Sequence, residues 1–282
     1  DRYKMKYYRT LKQALNEKPD FAVICTPTSL HLDQVLECLK ENINLFIEKP
    51  LANTATKIKK LKNLLKNKNK LISMMGYQMR FNPIYIYLKK FLKNKNIGKI
   101  NHIEIFHGEH LANFHKYEDY KTSYASRKNL GGGVVLTQIH EIDYILDLLS
   151  SYKVKIAYSS TTKNSNLKIN VEDTLNSTLI ASRKNERFTI NLHLNYYTRP
   201  KKRYIKIFTD RGIVEVDFNK KIFNRTTENR NFTKHFNFNN NLSFMREIKY
   251  FVKKIKKKEI IKRNLSIHNG IKTLEFALML KK

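Results

Sequence analysis

The sequence predicts an α/β fold with a doubly wound parallel sheet in residues 1–98, followed by an α+β domain with an open, mainly antiparallel sheet in residues 99–282. Two observations support this prediction. In the first part, short apolar runs alternate with segments of helical periodicity, which is the pattern of βαβ units. After Gly98 the apolar residues follow a period of two instead, as in strands with one buried face.

Three apolar runs in the first domain are each bounded by turn residues or proline. They are Asp20–Cys25, Asn44–Ile47 and Leu71–Met75. Continuous apolar strands of this length are typical of a parallel sheet that is buried on both faces. Leucines at helical spacing lie between the runs, so we expect right-handed crossovers.

The second domain is predicted from a series of β-rich runs and three helices. The runs are Ile103–His107, Val154–Tyr158, Thr174–Ala181, Phe188–Tyr196, Tyr204–Phe208 and Ile213–Val216. Tight turns such as Asp210-Arg211-Gly212 favour antiparallel pairing. The helices are expected at Gln138–Leu149, Leu242–Lys257 and Ile267–Leu280.

Composition excludes several classes of protein. The formal net charge of +31 suggests nucleic-acid binding, but the lysines are spread along the chain without any nucleic-acid-binding motif, so we expect no specific nucleic-acid partner. No run approaches about 20 apolar residues, so no membrane span is expected. Cys25 and Cys38 form no disulfide or metal pattern and no secretory signal is visible, which together favour a cytoplasmic protein.

Polar residues follow each predicted parallel strand, where ligands bind in such sheets. These segments are Thr26–His31, Glu48–Pro50 and Gly76–Phe81. Lys49 stands between a strand end and a proline, so its ammonium would be held in a fixed place where it could polarise a carbonyl or transfer a proton. A plain surface lysine in a lysine-rich chain explains its position as well.

A second candidate site is the predicted helix that follows Gly131-Gly132-Gly133. His140, Asp143, Tyr144 and Asp147 recur on one helical face, which suits an oriented general acid or base. The alternative is a structural histidine satisfied by backbone or water at the start of the helix. The glycines would allow close approach of a ligand or of another chain segment.

Four segments together resemble the Gfo/Idh/MocA oxidoreductases, which include glucose–fructose oxidoreductase and inositol dehydrogenase. They are DFAVICTPTSLH, FIEKPLA, GYQMRFNP and GGGVVLTQIHEIDYILDLL, and they stand in the family's order. The resemblance implies a Rossmann-type cofactor domain, NAD or NADP as cofactor, and hydride transfer at a hydroxyl-bearing carbon of a sugar, nucleotide sugar or polyol. It also implies a dimer or tetramer formed through the open sheet face.

The same resemblance assigns roles to individual residues. Lys49 and His140 match the family's catalytic lysine and histidine. The positions expected to line the cofactor are Thr26, Pro27, His31, Glu48, Lys49, Gly76 and Gln78. The positions expected to contact substrate are Tyr77, Arg80, Asp119, Tyr120, Asp143 and Arg199.

The sequence departs from the family in two places. Many members have an aspartate four residues before the histidine, where this chain has Leu136, so His140 would use Asp143 or act without a partner. The Gly-x-Gly-x-x-Gly turn that binds pyrophosphate does not occur in the sequence, so we expect the chain to be truncated before the third strand of its sheet. A non-catalytic sugar-binding or interaction module of the same family is the alternative function.

Overall fold

The computed structural model describes residues 5–68, 70–93, 97–114 and 117–281, and the start of the chain at 1–4 lies outside them. Its first sheet has three parallel strands in the order β1-β2-β3, as the apolar runs predicted. The strands are β1 (Phe21–Ile24), β2 (Asn44–Glu48) and β3 (Ser73–Gly76). Helices α2 (Thr28–Lys40) and α3 (Ile58–Leu65) form the crossovers, and α1 (Leu11–Asn16) precedes the sheet.

Both faces of this sheet carry apolar side chains. On one face, Phe46 of β2 contacts Phe251 with ring centroids 5.5 Å apart, and Phe21 of β1 lies 5.3 Å from the same ring. Phe251 belongs to α7 (Leu242–Lys257). The other face joins the main hydrophobic core through Leu45, Ile47 and Met75. Burial on both faces explains why these strands are continuous apolar runs.

The second sheet has eight strands in the order β11-β10-β9-β8-β4-β7-β6-β5, and only β4 and β7 pair in parallel among them. This mainly antiparallel sheet confirms the predicted fold class. Its strands are β4 (Ile100–Gly108), β5 (Lys153–Thr162), β6 (Thr174–Arg183), β7 (Glu186–Asn195), β8 (Lys202–Thr209), β9 (Gly212–Asp217), β10 (Ile222–Thr226) and β11 (Asn231–His235). The last two strands were not predicted, because their residues are mostly polar.

Four further helices complete the description: α4 (Pro83–Phe91), α5 (Val134–Thr137), α6 (His140–Leu148) and α8 (Ile267–Leu280). The single helix predicted at Gln138–Leu149 is wrong at its start. The chain leaves helical geometry at Gln138, whose side chain donates to the carbonyl of Asn195 at 3.1 Å. No helix in the described ranges is long and apolar enough to cross a membrane.

The C-terminal helices return to the first sheet. In α8, a Cβ on Gly270 would stand 2.5 Å from the Sδ of Met75, so a larger residue would require the Met75 side chain or the helix to shift. Together with the Phe251 contacts, this packing joins residues 242–280 to the parallel sheet. The boundary between residues 98 and 99 therefore separates the two sheets, and its status as a domain boundary stays a prediction.

Candidate active site

A cavity of about 740 Å³ lies where the carboxyl ends of β1 and β2 face the N-terminus of α6 and the end of β4. Seven predicted site residues line it. They are Thr26, Pro27, His31, Glu48, Lys49, Gln78 and His140. This is the edge at which parallel sheets bind ligands, so residues from all three polar turns and from α6 meet at one place.

The turn after β1 is tied to α2 by side-chain hydrogen bonds. The Thr26 hydroxyl donates to Oε1 of Gln34 at 2.7 Å. The buried His31 ring contacts two carbonyl oxygens, that of Thr26 through Nε2 at 2.7 Å and that of Pro50 through Nδ1 at 2.8 Å. His31 thereby connects the turn after β1 with the turn after β2.

Lys49 is half-buried at the end of β2, and its ammonium donates to the carbonyl of Thr137 at 2.9 Å. Its backbone N–H donates to the carboxyl of Glu48 at 3.2 Å. Burial raises the pKa of Glu48, and the nearby Lys49 only partly offsets this. A Cβ on Gly76 would come within 3.1 Å of Oε1 of Glu48, so Gly76 shapes the site by making room for Glu48. The Lys49 side chain therefore connects the end of β2 with α5.

His140 is the first residue of α6 and is buried, with 5% of its surface exposed. Neither ring nitrogen has a hydrogen-bond partner among the described residues, although both are buried. Burial, with the positive charges of Lys49 and Arg203, lowers the pKa of His140 well below its usual value. The lowered pKa favours the neutral imidazole. No backbone group of the described residues satisfies the ring, and a structural histidine satisfied by water stays the alternative.

Sequence reasoning missed a buried charge cluster beside His140. The Glu141 carboxylate lies 2.6 Å from Nε of Arg203 and 3.0 Å from Nδ1 of His107. Burial would raise the pKa of Glu141, but Arg203 and His107 lower it below its usual range. Glu109 follows on the cavity wall and pairs with Lys201 at 2.6 Å. The available signal was His107 itself, a histidine that follows Ile103 and Ile105 on the buried face of β4.

The three glycines preceding α5 allow close approach of other chain segments. A Cβ on Gly132 would meet the carbonyl oxygens of Tyr124 and Ala125 at 2.4 and 2.5 Å. A Cβ on Gly133, where φ is +109°, would meet Glu172 at 2.2 Å. The glycines therefore pack 124–125 and Glu172 against the start of α5, which places Thr137 and His140 at the cavity.

Three residues predicted to contact substrate lie behind the cavity wall. Arg80 forms a buried ion pair with Asp143, from Nε to Oδ2 at 2.5 Å and from Nη2 to Oδ1 at 2.8 Å. It also pairs with Asp147. Tyr77 is fully buried, with its ring 6.1 Å from that of His140. Asp143 thus has Arg80 as its partner and is not a partner of His140.

The remaining three predicted substrate residues lie outside the cavity lining. Asp119 is exposed and accepts a hydrogen bond from the backbone of Lys121 at 3.0 Å. Tyr120 is half-buried and packs against the core. Arg199 is exposed and contacts His110. Their neighbours Glu118, Thr122 and Ser123 line the cavity instead.

Comparison with known proteins places the chain in one class. Residues 1–77 match the family described as "Oxidoreductase family, NAD-binding Rossmann fold", and residues 85–215 match the "GFO/IDH/MocA C-terminal domain". The two matches cover both sheets up to β9. The chain belongs to the Gfo/Idh/MocA oxidoreductase family.

Individual relatives agree with this assignment. Trans-1,2-dihydrobenzene-1,2-diol dehydrogenase of Xenopus tropicalis is 32% identical over 126 residues, which are 44% of this chain and 36% of the relative. Inositol 2-dehydrogenase of Salmonella typhimurium is 30% identical over 155 residues, which are 54% of this chain and 43% of the relative. The matched segments therefore span less than half of either relative.

A solved structure shows the same fold over nearly the whole chain. Myo-inositol 2-dehydrogenase of Lactobacillus plantarum superimposes with a TM-score of 0.77 at 19% identity. The superposition covers 97% of this chain and 80% of that structure. The likeness therefore extends over both sheets and the C-terminal helices.

Proposed function

We propose that this protein transfers a hydride between NAD or NADP and a hydroxyl-bearing carbon of a sugar, nucleotide sugar or polyol. One observation carries the proposal. Lys49 and His140 come from different elements, yet both line the same cavity, and both ring nitrogens of His140 are free of partners among the described residues. A cation and a neutral base around one space are what deprotonation of an alcohol requires.

The cavity suits the nicotinamide end of such a cofactor. Thr26, Pro27, His31, Glu48 and Gln78 form its wall at the strand ends and would hold the ring. Burial raises the pKa of the Glu48 carboxyl, and its oxygens can accept hydrogen bonds from the carboxamide of such a cofactor. The bound cofactor would supply the hydride chemistry. Without a Gly-x-Gly-x-x-Gly turn in the sequence, we assign no residue to the pyrophosphate.

Lys49 and His140 have different roles at the reacting hydroxyl. The Lys49 ammonium uses one of its three N–H groups on the Thr137 carbonyl and offers the others to a substrate oxygen. Its charge stabilises the developing alkoxide. The neutral His140 ring takes the hydroxyl proton.

Further polar atoms at the cavity suit a substrate with several hydroxyl groups. Thr137, Gln138 and His107 line the cavity, and Oε1 of Gln138 has no hydrogen-bond partner among the described residues. Groups left unpaired in this way favour a polyhydroxylated ligand, because an apolar one would leave them unsatisfied. Contacts of Tyr77, Arg80, Asp119, Tyr120, Asp143 and Arg199 with substrate stay predictions.

Cofactor titration tests the proposal. Binding of NADH and NADPH is followed by energy transfer from the tyrosines and by thermal shift, and reduction of NAD and NADP is then measured with inositols and aldoses. We expect saturable binding and turnover that Lys49→Ala and His140→Asn reduce by about 100-fold or more. Lys59→Ala, at an exposed lysine of α3, is the matched control.

The same experiment distinguishes a dehydrogenase from a non-catalytic module. Binding of a sugar without binding of either cofactor would support a non-catalytic module and overturn the dehydrogenase proposal. Turnover that survives in both variants would show that the two residues do not act on substrate.

We further propose that the protein forms a dimer or tetramer through the open face of the eight-stranded sheet. On this face Phe106 stacks between His193 at 5.1 Å and Tyr204 at 5.4 Å, and Tyr158 is 61% exposed. Light scattering on the wild type and on Phe106→Lys checks this, and a monomeric wild type would refute it. A cytoplasmic location and the lack of a specific nucleic-acid partner stay predictions.

A further inference from the structure

His31 connects two segments that the proposed reaction depends on. It belongs to the first turn of α2, and the residue is 1% exposed. Nε2 lies 2.7 Å from the carbonyl oxygen of Thr26, in the cofactor-facing turn after β1. Nδ1 lies 2.8 Å from the carbonyl oxygen of Pro50, directly after Lys49. The ring therefore spans the gap between the two turns.

A neutral His31 ring cannot donate a hydrogen bond to both carbonyl oxygens. A carbonyl oxygen only accepts hydrogen bonds, and a neutral imidazole has one N–H and one nitrogen lone pair. At 2.7–2.8 Å, a lone pair facing a carbonyl oxygen is repulsive. Only the doubly protonated ring donates to both oxygens, so loss of one proton must weaken one of the two contacts.

The groups around His31 act on its protonation in both directions. Burial is the largest influence and lowers the pKa of His31, as does the ammonium of Lys49 at the end of β2. The carbonyls of Pro50, Thr26 and Glu48 raise it. The net pKa of His31 lies below the ordinary value, so the ring gains its second proton at a lower pH than a free imidazole does.

We propose that His31 is a positioning residue that sets the distance between Lys49 and the cofactor-facing turn, with both carbonyl contacts closed only when both ring nitrogens carry protons. At neutral pH the ring then holds one carbonyl, and the turn bearing Lys49 has more freedom. This proposal rests on the proposed function for its catalytic consequence, whereas the carbonyl contacts themselves are independent of it.

Nuclear magnetic resonance on the full chain reads the contacts without any substrate. Long-range 15N–1H spectra of histidine-labelled protein, with His31 assigned from His31→Gln, report which ring nitrogens carry protons. The backbone amide of Leu51 shares its peptide group with the Pro50 carbonyl, so its chemical shift senses that hydrogen bond. We expect the Leu51 shift to follow the titration of His31 in the wild type and to be flat in His31→Leu.

Kinetics then test the consequence for Lys49. His31→Leu removes both contacts and should lower kcat by up to about 100-fold, the loss expected from roughly 1 Å of misplacement, with a smaller change in the cofactor KM. His31→Gln keeps one donor and should lose less. His235→Gln, at an exposed histidine of β11, is the matched control and should match the wild type.

The outcomes separate the two proposals. A wild type without turnover, in which Leu51 still follows His31, overturns the proposed function and leaves the carbonyl contacts intact. A His31 ring that titrates without affecting Leu51, or a His31→Leu variant that folds and keeps the wild-type kcat, overturns the positioning role.

Discussion

Removal of the Asp143 carboxylate should destabilise the fold far more than it changes substrate affinity. In Asp143→Ala, the guanidinium of Arg80, with a side chain 4% exposed, loses two charge-assisted bonds of 2.5 and 2.8 Å, and the amide of Asn269 loses an acceptor at 2.8 Å. Breaking one partner of a buried pair costs about 3–5 kcal/mol. At roughly 2 °C per kcal/mol for a chain of this size, Tm should fall by about 6–10 °C.

Urea unfolding and calorimetry measure the stability, and initial rates measure the substrate KM. Asp33→Ala removes an exposed carboxylate that pairs with Lys57 and should change stability by less than about 1 kcal/mol. Replacing both Arg80 and Asp143 with apolar residues should restore part of the lost stability. The reasoning is refuted if Asp143→Ala unfolds like the wild type while the substrate KM rises tenfold, because Asp143 would then bind substrate.

Three further predictions concern single buried positions. Burial would raise the pKa of Asp147, but its cationic partners lower it to about 2. About 2 kcal/mol of stability that is present above pH 4 should therefore be lost towards pH 2. Asp147→Asn should remove this loss from an acid-unfolding curve, and an unchanged loss would contradict the assignment. Burial and then the nearby Glu48 raise the pKa of Glu247 to about 9. The free energy of unfolding of the wild type should therefore fall by up to about 4 kcal/mol between pH 5 and pH 8. An equal fall in Glu247→Gln would refute this origin. Gly132→Ala should both lower Tm and abolish cofactor-dependent turnover, because its Cβ would clash with two backbone carbonyl oxygens. A wild-type Tm and wild-type rates would show that the turn can shift.

The sequence was sufficient for the features that depend on local pattern. The three parallel strands and the turns bearing Thr26, Lys49 and Gln78 follow from apolar runs ended by polar residues. The bounds of α7 and α8 match the predicted helices at both ends. Periodicity fixes these elements because each buries one continuous set of side chains.

The features that the sequence could not supply depend on strand register. His107 of β4 pairs with Arg203 of β8 across almost 100 residues, and this pairing brings both side chains to Glu141. Nothing in the spacing of these residues along the chain indicates that they meet. The assignment of Arg80 and Asp143 to substrate binding came from the resemblance, and the sequence alone could not show that they are partners of each other.

Many family members have an aspartate four residues before the histidine, where this chain has Leu136. The environment of His140 indicates how the histidine could act without that aspartate. A carboxylate partner would orient the imidazole and raise its pKa. The neighbouring Glu141 contacts Arg203 and His107 through Oε1, and it makes no hydrogen bond to the His140 ring. Lys49 and burial instead keep the His140 ring neutral. A ring that is neutral before substrate binds can accept the hydroxyl proton directly, and the positive charge that the alkoxide needs then comes from Lys49. On the proposed function, Leu136 therefore stands in place of the carboxylate that would have favoured a protonated His140, and the acid–base chemistry is carried by a neutral histidine beside a fixed ammonium.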